Sequence, residues 1–257
     1  MSDYHKNPAR SSSEIALFLS DPIEWYHRYR LGDWEPEPPT KAMELGTLIH
    51  KMIEHQGTDA MVRRIPVAVL NEQGHCKGAA WTEWKKENKA DIYLKPGEND
   101  PLETIWQNLS ANDWFVETIY DSDREVEHHW TDAVFGPCRC MWDLVTGGDT
   151  LVDWKSTNKR DARSFAVDAY KMNYDIRLAF YRIGFRDKYG KNPDVYIGAI
   201  NTSGGCEFTP FLFPSDWLDD AEAKLYDICE QMDSFDIDKH RNKRPQLLER
   251  PKWADRE

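Results

Sequence analysis

Two acids and a lysine around a glycine turn are the residues best suited to chemistry. Asp143 precedes the dipeptide Gly147-Gly148, and Asp153 and Lys155 follow it in the segment "LVDWKST". Side chains two residues apart on a strand leave the same face of a sheet. Asp153 and Lys155 are therefore expected to share a face, with Trp154 turned into the core. If the two segments form a hairpin, Asp143 becomes a near neighbour of Asp153.

This arrangement fits metal-assisted hydrolysis of a phosphodiester. That reaction needs a hydroxide at neutral pH and positive charge at the transition state, and one or two Mg²⁺ ions supply both. Mg²⁺ prefers hard oxygen ligands, such as the carboxylates of Asp143 and Asp153 and the backbone carbonyl of Trp154. The ammonium of Lys155 would orient the attacking water. From spacing alone, an ordinary strand with a charged solvent face remains the alternative.

The segments that carry these residues predict an α/β (α+β) fold, with a mixed central sheet flanked by helices. From residue 124 the apolar pattern has a period of two, and glycines at 136 and 147–148 divide residues 124–157 into three strands. The following segments predict helices at 162–189, strands at 194–201 and 206–213, and a helix at 215–232. We expect one domain over residues 1–257, with an N-terminal helical part at 11–57 and a catalytic core at about 120–237.

The charge of the chain is uneven. Its formal net charge of −12 argues against a general nucleic-acid binder. Residues 155–191, however, contain ten lysines and arginines against four aspartates, a local charge of +6 that begins at Lys155. Two interpretations stay open: a solvated helix face, or a surface that binds phosphate.

Cysteine usage and hydropathy indicate the cellular compartment. The five cysteines include no C-x-x-C pair, so we expect reduced thiols rather than a disulfide framework or a zinc site. Cys138 and Cys140 would lie on one side of a strand and are expected to be buried. The sequence has no long apolar run and no apolar signal core at its N-terminus, which predicts a cytoplasmic protein without a membrane span.

The whole sequence resembles a known family of nucleases. The segments "CRCMWDLVTGGDTLVDWKST" and "YKMNYDIRLAFYRIGF" resemble the catalytic core of RecE-type exonucleases (exonuclease VIII), in the RecB-like branch of the PD-(D/E)xK superfamily. "SSSEIALFLSDPIEWY" and "GTLIHKMIE" resemble the upstream helices of that branch, and "RPKWADRE" resembles its usual end. The resemblance is strongest over 134–187 and weakest over 58–115.

The resemblance implies roles for individual residues. Asp143 and Asp153 would bind metal, Lys155 would be the catalytic lysine, and His50 would be the helical histidine at the metal, although a packed core histidine is the alternative from spacing alone. Glu127 is a possible additional acid, with a solvated strand acid as its alternative. Residues expected to contact DNA are Lys159, Arg160, Arg163, Tyr174, Arg177 and Tyr181. Arg177 stands where the family often has glutamine, so it would either clamp a phosphate or pair with an acid of the site.

The resemblance also implies an activity and partners. It predicts a Mg²⁺-dependent exonuclease, with Mn²⁺ as a substitute, acting 5′→3′ on linear duplex ends. The 3′ tail would serve a single-strand annealing recombinase in a bacterial or phage-infected cell, and the subunits would form a homo-oligomeric ring, a trimer or tetramer. No iron–sulfur cluster is expected. The alternatives are a related endonuclease, a single-strand-specific nuclease, and a catalytically weakened module that binds DNA ends.

Overall fold

The computed structural model describes residues 7–59, 61–98, 100, 102–159 and 161–241. The helices are α1 (Ser12–Ser20), α2 (Pro22–Trp25, continued by a π-helical turn at Tyr26–Leu31), α3 (Lys41–Glu54), α4 (Ala79–Glu87), α5 (Glu103–Ser110), α6 (Asp113–Tyr120), α7 (Ala162–Lys171), α8 (Tyr174–Tyr189), α9 (Ser215–Asp233) and α10 (Ile237–Arg241). The strands are β1 (Val62–Arg64), β2 (Ile92–Leu94), β3 (Ser122–Asp132), β4 (Gly136–Thr146), β5 (Thr150–Thr157), β6 (Asp194–Asn201) and β7 (Phe208–Leu212).

Strands β3 to β7 form one mixed sheet in sequence order, which confirms the predicted fold class. Neighbouring strands are antiparallel except for β5 and β6, which are parallel and are joined through α7 and α8. The β4–β5 hairpin closes at Gly147 and Gly148, whose φ values of +60° and +66° suit glycine. The small strands β1 and β2 form a separate parallel pair.

Helices cover both faces of the main sheet. One hydrophobic core lies between the sheet and helices α1, α8 and α9, and contains Trp142 and Phe180. The second core lies on the other face, against α3, α5 and α6, and contains Leu144 and Trp154. Trp142 and Leu144 would share a face on a regular strand, so β4 changes face at the intervening Asp143.

The change of face coincides with gaps in strand pairing. The β3–β4 ladder skips Glu125 and Asp143, and the β4–β5 ladder ends at Leu144. Glu125 has a φ of +48°, an unfavourable conformation for a residue with a side chain. Such backbone is maintained only where surrounding packing enforces it, and it occurs often at functional sites. The three strands therefore separate locally around Asp143.

Two other sequence-based expectations can be compared with the structure. Cys138 and Cys140 are each 1% exposed, which confirms their predicted burial. Within the described residues, no helix is both long enough and apolar enough to cross a membrane. The single-domain organisation stays a prediction.

Packing behind the β5 segment depends on Gly198 of β6. Gly198 pairs with Trp154, and a Cβ atom at this glycine would collide with the indole ring. We therefore expect Gly198→Ala to lower the free energy of unfolding by roughly 3 kcal/mol or more, because the rigid ring has no space to move into. Urea denaturation measures this loss.

A second glycine provides the control for this prediction. A Cβ atom at Gly205 would meet only the Glu207 side chain, at 3.8 Å. Gly205→Ala should change stability by no more than about 0.5 kcal/mol. If the two variants were equally stable, the close approach of Gly198 to Trp154 would not constrain the strand.

Candidate functional site

Asp143 lies where strands β3, β4 and β5 separate. Its Oδ2 atom accepts a hydrogen bond of 2.7 Å from the backbone N–H of Trp154. The β4–β5 ladder ends at the Leu144–Val152 pair, before it reaches Trp154, so the carboxylate takes the place of a backbone carbonyl in satisfying this N–H group. The hairpin thus fixes Asp143 beside the segment that carries Asp153 and Lys155, as its spacing predicted.

His50 reaches the same place from the third turn of α3, a helix whose N-cap is Thr40. The Nδ1 atom of His50 is 3.6 Å from Oδ1 of Asp143, and its Nε2 atom donates a hydrogen bond of 3.1 Å to the Trp154 carbonyl oxygen. Neighbouring ligands of an octahedral Mg²⁺ with bonds of 2.0–2.1 Å lie about 3 Å apart. The Nε2 atom and the carbonyl oxygen are therefore spaced as two ligands of one ion would be.

The third acid at this place is Glu125 of β3, which the sequence analysis did not select. Ligand atoms of His50, Glu125 and Asp143 all lie within 4.8 Å of one another. Glu127, the acid considered from sequence, instead accepts a hydrogen bond of 2.6 Å from the His129 ring on the exposed part of the strand. The structure thus groups Glu125, rather than Glu127, with His50 and Asp143.

The pairing register of the β3–β4 hairpin could have identified Glu125 from the sequence. The β3–β4 register pairs Arg124 with Leu144 and Val126 with Trp142, which leaves Glu125 directly opposite Asp143. A predicted turn at 133–135 is enough to obtain that register. Simple alternation is not enough, because it assigns residues 125 and 127 to the same face and does not anticipate the positive φ at Glu125.

The positive groups near the acids of this cluster do not offset the effects of burial and of repulsion between the carboxylates. Burial raises the pKa of Asp143, and the neighbouring Asp153 carboxylate also raises it, while His50 acts in the opposite direction. Burial raises the pKa of Glu125 to about 7, with a further contribution from the charge of Asp143. Carboxylates that repel one another in a partly desolvated place favour a bound cation. Two carboxylates, an imidazole and a carbonyl oxygen are a suitable donor set for Mg²⁺ or Mn²⁺.

We expect Glu125→Gln to stabilise the metal-free protein while weakening its affinity for Mn²⁺. The folded-state pKa of Glu125 is raised from 4.5 to about 7, so the unfolding free energy falls as the pH rises through that interval. At pH 8 the substitution should add about 1–2 kcal/mol, allowing for screening at this half-exposed group. The difference should vanish below pH 4.5, where the carboxyl group is protonated in both states.

Urea denaturation in EDTA at several pH values measures the stability, and calorimetric titration measures Mn²⁺ binding. Glu127→Gln is the matched control, because this glutamate is exposed and bonded to His129. It should alter neither quantity appreciably. A larger loss of Mn²⁺ affinity in Glu127→Gln than in Glu125→Gln would contradict the placement of the third acid.

Asp153 and Lys155 face the α8 side of the sheet. Asp153 is 5% exposed and forms an ion pair with Lys155. Lys155 also donates a hydrogen bond of 3.2 Å to the Trp154 carbonyl, and its Nζ atom lies 5.7 Å from the centre of the Tyr174 ring. Trp154 itself is 2% exposed and packs on the opposite face. The side chains of Asp153 and Lys155 therefore project from one face of β5, and the buried indole ring of Trp154 packs on the other face.

Helix α8 adds Tyr174, Arg177 and Tyr181 beside Asp153. Burial raises the pKa of both tyrosines, and the charge of Asp153 also raises it, which places all three groups in one electrostatic environment. The Nε atom of Arg177 is buried and has no hydrogen-bond partner among the described residues. This guanidinium interacts electrostatically with Asp153 and is hydrogen-bonded to Tyr181. Arg177 thus approaches the site with one buried donor unpaired within the described part of the chain.

Several of the other basic residues of 155–191 fall into two groups. Arg182 is 4% exposed and pairs with Asp219 and Glu222 of α9, and Arg186 pairs with Glu222 as well. These two arginines hold helices α8 and α9 together. Lys159 lies 3.4 Å from Asp168, and Arg163 is exposed in the first turn of α7. Arg160 lies outside the described residues. The phosphate-binding interpretation therefore concerns the residues near Lys155 and the start of α7, rather than the whole stretch.

Comparison with known proteins identifies a family and structures of similar fold. A family model described as "PDDEXK-like domain of unknown function (DUF3799)" matches residues 11–246. The crystal structure of a "Putative exonuclease" from Eubacterium rectale is 15% identical in sequence and gives a TM-score of 0.61, over 96% of this chain and 93% of that chain.

A second structure, of SSO0001, is 12% identical and gives a TM-score of 0.31 over 72% of this chain and 83% of that chain, too low for any inference. The comparison with curated proteins finds no match. The similarity to the Eubacterium rectale protein concerns the fold alone.

Proposed function

Because this chain belongs to the DUF3799 family of PDDEXK-like domains, we propose that it is a divalent-metal-dependent deoxyribonuclease that degrades linear duplex DNA from its ends. One observation carries this proposal. The fold brings the His50–Glu125–Asp143 cluster and the Asp153–Lys155 pair together at the backbone of Trp154, whose N–H is bonded to Asp143 and whose carbonyl oxygen is bonded to His50 and Lys155. The chemistry that this arrangement suits best is phosphodiester hydrolysis.

Asp143, His50, Glu125 and the Trp154 carbonyl would hold the metal, together with Asp153. When bound, a divalent ion supplies positive charge that polarises the phosphate and makes a nearby water more acidic. Lys155 orients this water and offsets charge on the phosphate oxygens, since its ammonium leaves the same face as Asp153. Trp154 keeps the segment rigid, because its indole ring is buried between β6 and helix α6.

DNA would enter from the side of α7 and α8. Arg177, which is only partly buried as a residue, would bind a phosphate oxygen, and Tyr181, to which it is hydrogen-bonded, would hold the guanidinium in place beside Tyr174. Lys159 and Arg163, and Arg160 by its position in the sequence, would contact the adjoining backbone. Contacts of this kind position a duplex without reading its sequence.

The finer features of the proposal follow the resemblance to RecE-type enzymes. They are Mg²⁺ as the physiological ion with Mn²⁺ as a substitute, 5′→3′ polarity, and 3′ tails for an annealing recombinase. A homo-oligomeric ring, trimer or tetramer, would let an acidic chain hold DNA by turning its basic side to a central channel. A cytoplasmic location, in a bacterial or phage-infected cell, is part of the same proposal.

End-labelled DNA tests activity, polarity and product size together. Purified protein with Mg²⁺ should release mononucleotides from linear duplex and leave covalently closed circular duplex intact. With 5′→3′ degradation, a label at the 5′ end is released at once and a label at the 3′ end is retained. Equal digestion of linear and circular DNA would instead identify an endonuclease, and digestion of single strands alone would identify a single-strand-specific enzyme.

A DNA-end-binding module with weakened catalysis is the competing function from another class. The closeness of Arg177 to Asp153 is the observation that favours it, because this guanidinium competes with a metal for the carboxylate. Titration with Mn²⁺ separates the two functions. Absence of binding, together with retained affinity for DNA ends, would support the module.

A further inference from the structure

Helix α4 is unusual because it contains two tryptophans and neither of them is fully buried. None of its nine residues, all of which the structure describes, is classed as buried. A surface helix normally turns its large apolar residues toward the core. Trp81 and Trp84 of α4 follow that rule only in part, since both are half-buried although tryptophan has a large apolar surface to bury.

The two indoles form a cluster with Tyr93 of β2. The rings of Trp81 and Trp84 are stacked, with centroids 5.6 Å apart and an interplanar angle of 27°. Tyr93 meets both of them edge-on, at 5.4 and 6.0 Å. Among the described residues, these three rings belong to neither hydrophobic core of the sheet. They are partly exposed, so each retains ring surface for a partner.

Positive charge surrounds these rings. The Nζ atom of Lys85 lies 5.7 Å from the centre of the Trp81 ring and 5.1 Å from that of Tyr93. Residues 77–89 contain four lysines and two glutamates, a charge of +2 in a chain of −12. A lysine over partly exposed aromatic rings matches a partner with flat bases and a negative backbone.

The cluster is tied to the helix that carries His50. Lys51, the next residue in α3, forms an ion pair of 2.7 Å with Asp91, and the hydroxyl group of Tyr93 accepts a hydrogen bond of 3.0 Å from the N–H of Ala90. Asp91 is thus held both to α3 and, through the adjoining backbone, to the aromatic cluster. The segment that carries these rings therefore contacts α3, the helix that contains His50.

We propose that Trp81, Trp84, Tyr93 and Lys85 form a binding site for single-stranded DNA that stacks unpaired bases beside the nuclease site. This inference extends the proposed function, since a nuclease acting at duplex ends produces an unpaired strand next to its active site. Bases stack on the indole faces without sequence preference, and Lys85 moves from the rings to a backbone phosphate when a base arrives.

Fluorescence anisotropy of labelled oligo-dT, measured in EDTA so that nothing is cleaved, tests the site. The Trp81→Ala/Trp84→Ala variant should bind oligo-dT roughly 5- to 150-fold more weakly, the range for one or more lost stacking contacts. An abasic oligonucleotide of the same length offers phosphates without bases. Wild-type protein should prefer oligo-dT to it, and the variant should lose that preference.

Matched variants exclude trivial explanations. Trp217→Ala removes a tryptophan that is 39% exposed on α9 and contacts Phe213, and it should leave the affinity unchanged. Trp81→Phe/Trp84→Phe keeps flat rings and should retain most of the binding, even if the alanine variant folds poorly. Lys85→Ala should make the plot of log affinity against log salt concentration less steep, by the amount expected for the loss of about one phosphate contact.

Three results would overturn the inference. They are unchanged affinity for oligo-dT in the folded alanine variant, an equal loss for the abasic oligonucleotide, and a change of oligomeric state in place of a loss of affinity. The last would identify the cluster as a contact between protein subunits. Failure of the proposed nuclease function appears separately, as absent release of nucleotides from linear duplex, and does not alter the EDTA measurement.

Discussion

Replacing Asp153 by asparagine is expected to reduce nucleotide release from linear duplex DNA by at least about 1,000-fold. Asp153 is 5% exposed, is paired with Lys155 and lies close enough to Asp143 to raise the pKa of that carboxyl group. The amide has the same shape but no charge, so it neither binds a hard cation well nor holds the Lys155 ammonium. The measurement is the initial rate with Mg²⁺ and, separately, with Mn²⁺.

Folding and general charge effects require a control for this variant. Asp194→Asn removes an exposed carboxylate at the first residue of β6, opposite Thr150 at the far end of the neighbouring strand. This variant should keep the wild-type rate, and both variants should show the same circular dichroism. Activity within tenfold of wild type in Asp153→Asn would remove Asp153 from the reaction.

Lys155→Ala should change catalysis and metal affinity in opposite directions. We expect the single-turnover rate to fall by roughly 100- to 1,000-fold, because no ammonium remains to orient water and stabilise the phosphate charge. Mn²⁺ affinity should stay equal or rise, since Lys155 no longer competes for Asp153 and for the Trp154 carbonyl. Calorimetric titration of Mn²⁺ and rapid-quench kinetics give the two quantities.

Thermal unfolding adds a third readout for the same variant. Loss of Lys155 leaves a buried carboxylate with less counter-charge, so the metal-free protein should be less stable and Mn²⁺ should raise its Tm by more than it does in wild type. Lys224→Ala is the matched control, because Lys224 is an exposed lysine of α9. A parallel loss of Mn²⁺ affinity and rate in Lys155→Ala would mean that the lysine supports the fold of the site rather than the reaction.

Much of the fold could be predicted because its signals are local. Glycines with positive φ close the β4–β5 hairpin, and apolar alternation marks the strands on either side. The same register brings Asp143 next to the Asp153 segment, so two acids and a lysine follow from hairpin geometry. The role of His50 was predicted from family resemblance, because the sequence around a histidine in an amphipathic helix does not indicate which residues the histidine contacts.

The rest depends on irregular backbone and long-range packing. Alternation could not place Glu125, because its φ of +48° and the face change at Asp143 break the period of two. The composition of residues 155–191 suggested one basic surface. In the structure, however, Arg182 and Arg186 form ion pairs with carboxylates of α9. The sequence also could not show that Trp81 and Trp84 lie apart from both cores, since tryptophans in a helix ordinarily indicate burial.

One hydrogen bond at the site offers a reporter of its chemical state. The N–H of Trp154 is bonded to the side-chain carboxylate of Asp143 rather than to a backbone carbonyl of a neighbouring strand, although β5 lies in the middle of the sheet. The deuterium exchange rate and the ¹⁵N chemical shift of this amide should therefore change when the Asp143 carboxylate is protonated or binds a metal. The backbone-paired amides around it should change only when the sheet opens. A single resonance thus separates ligation of Asp143 from global unfolding, without any need for turnover.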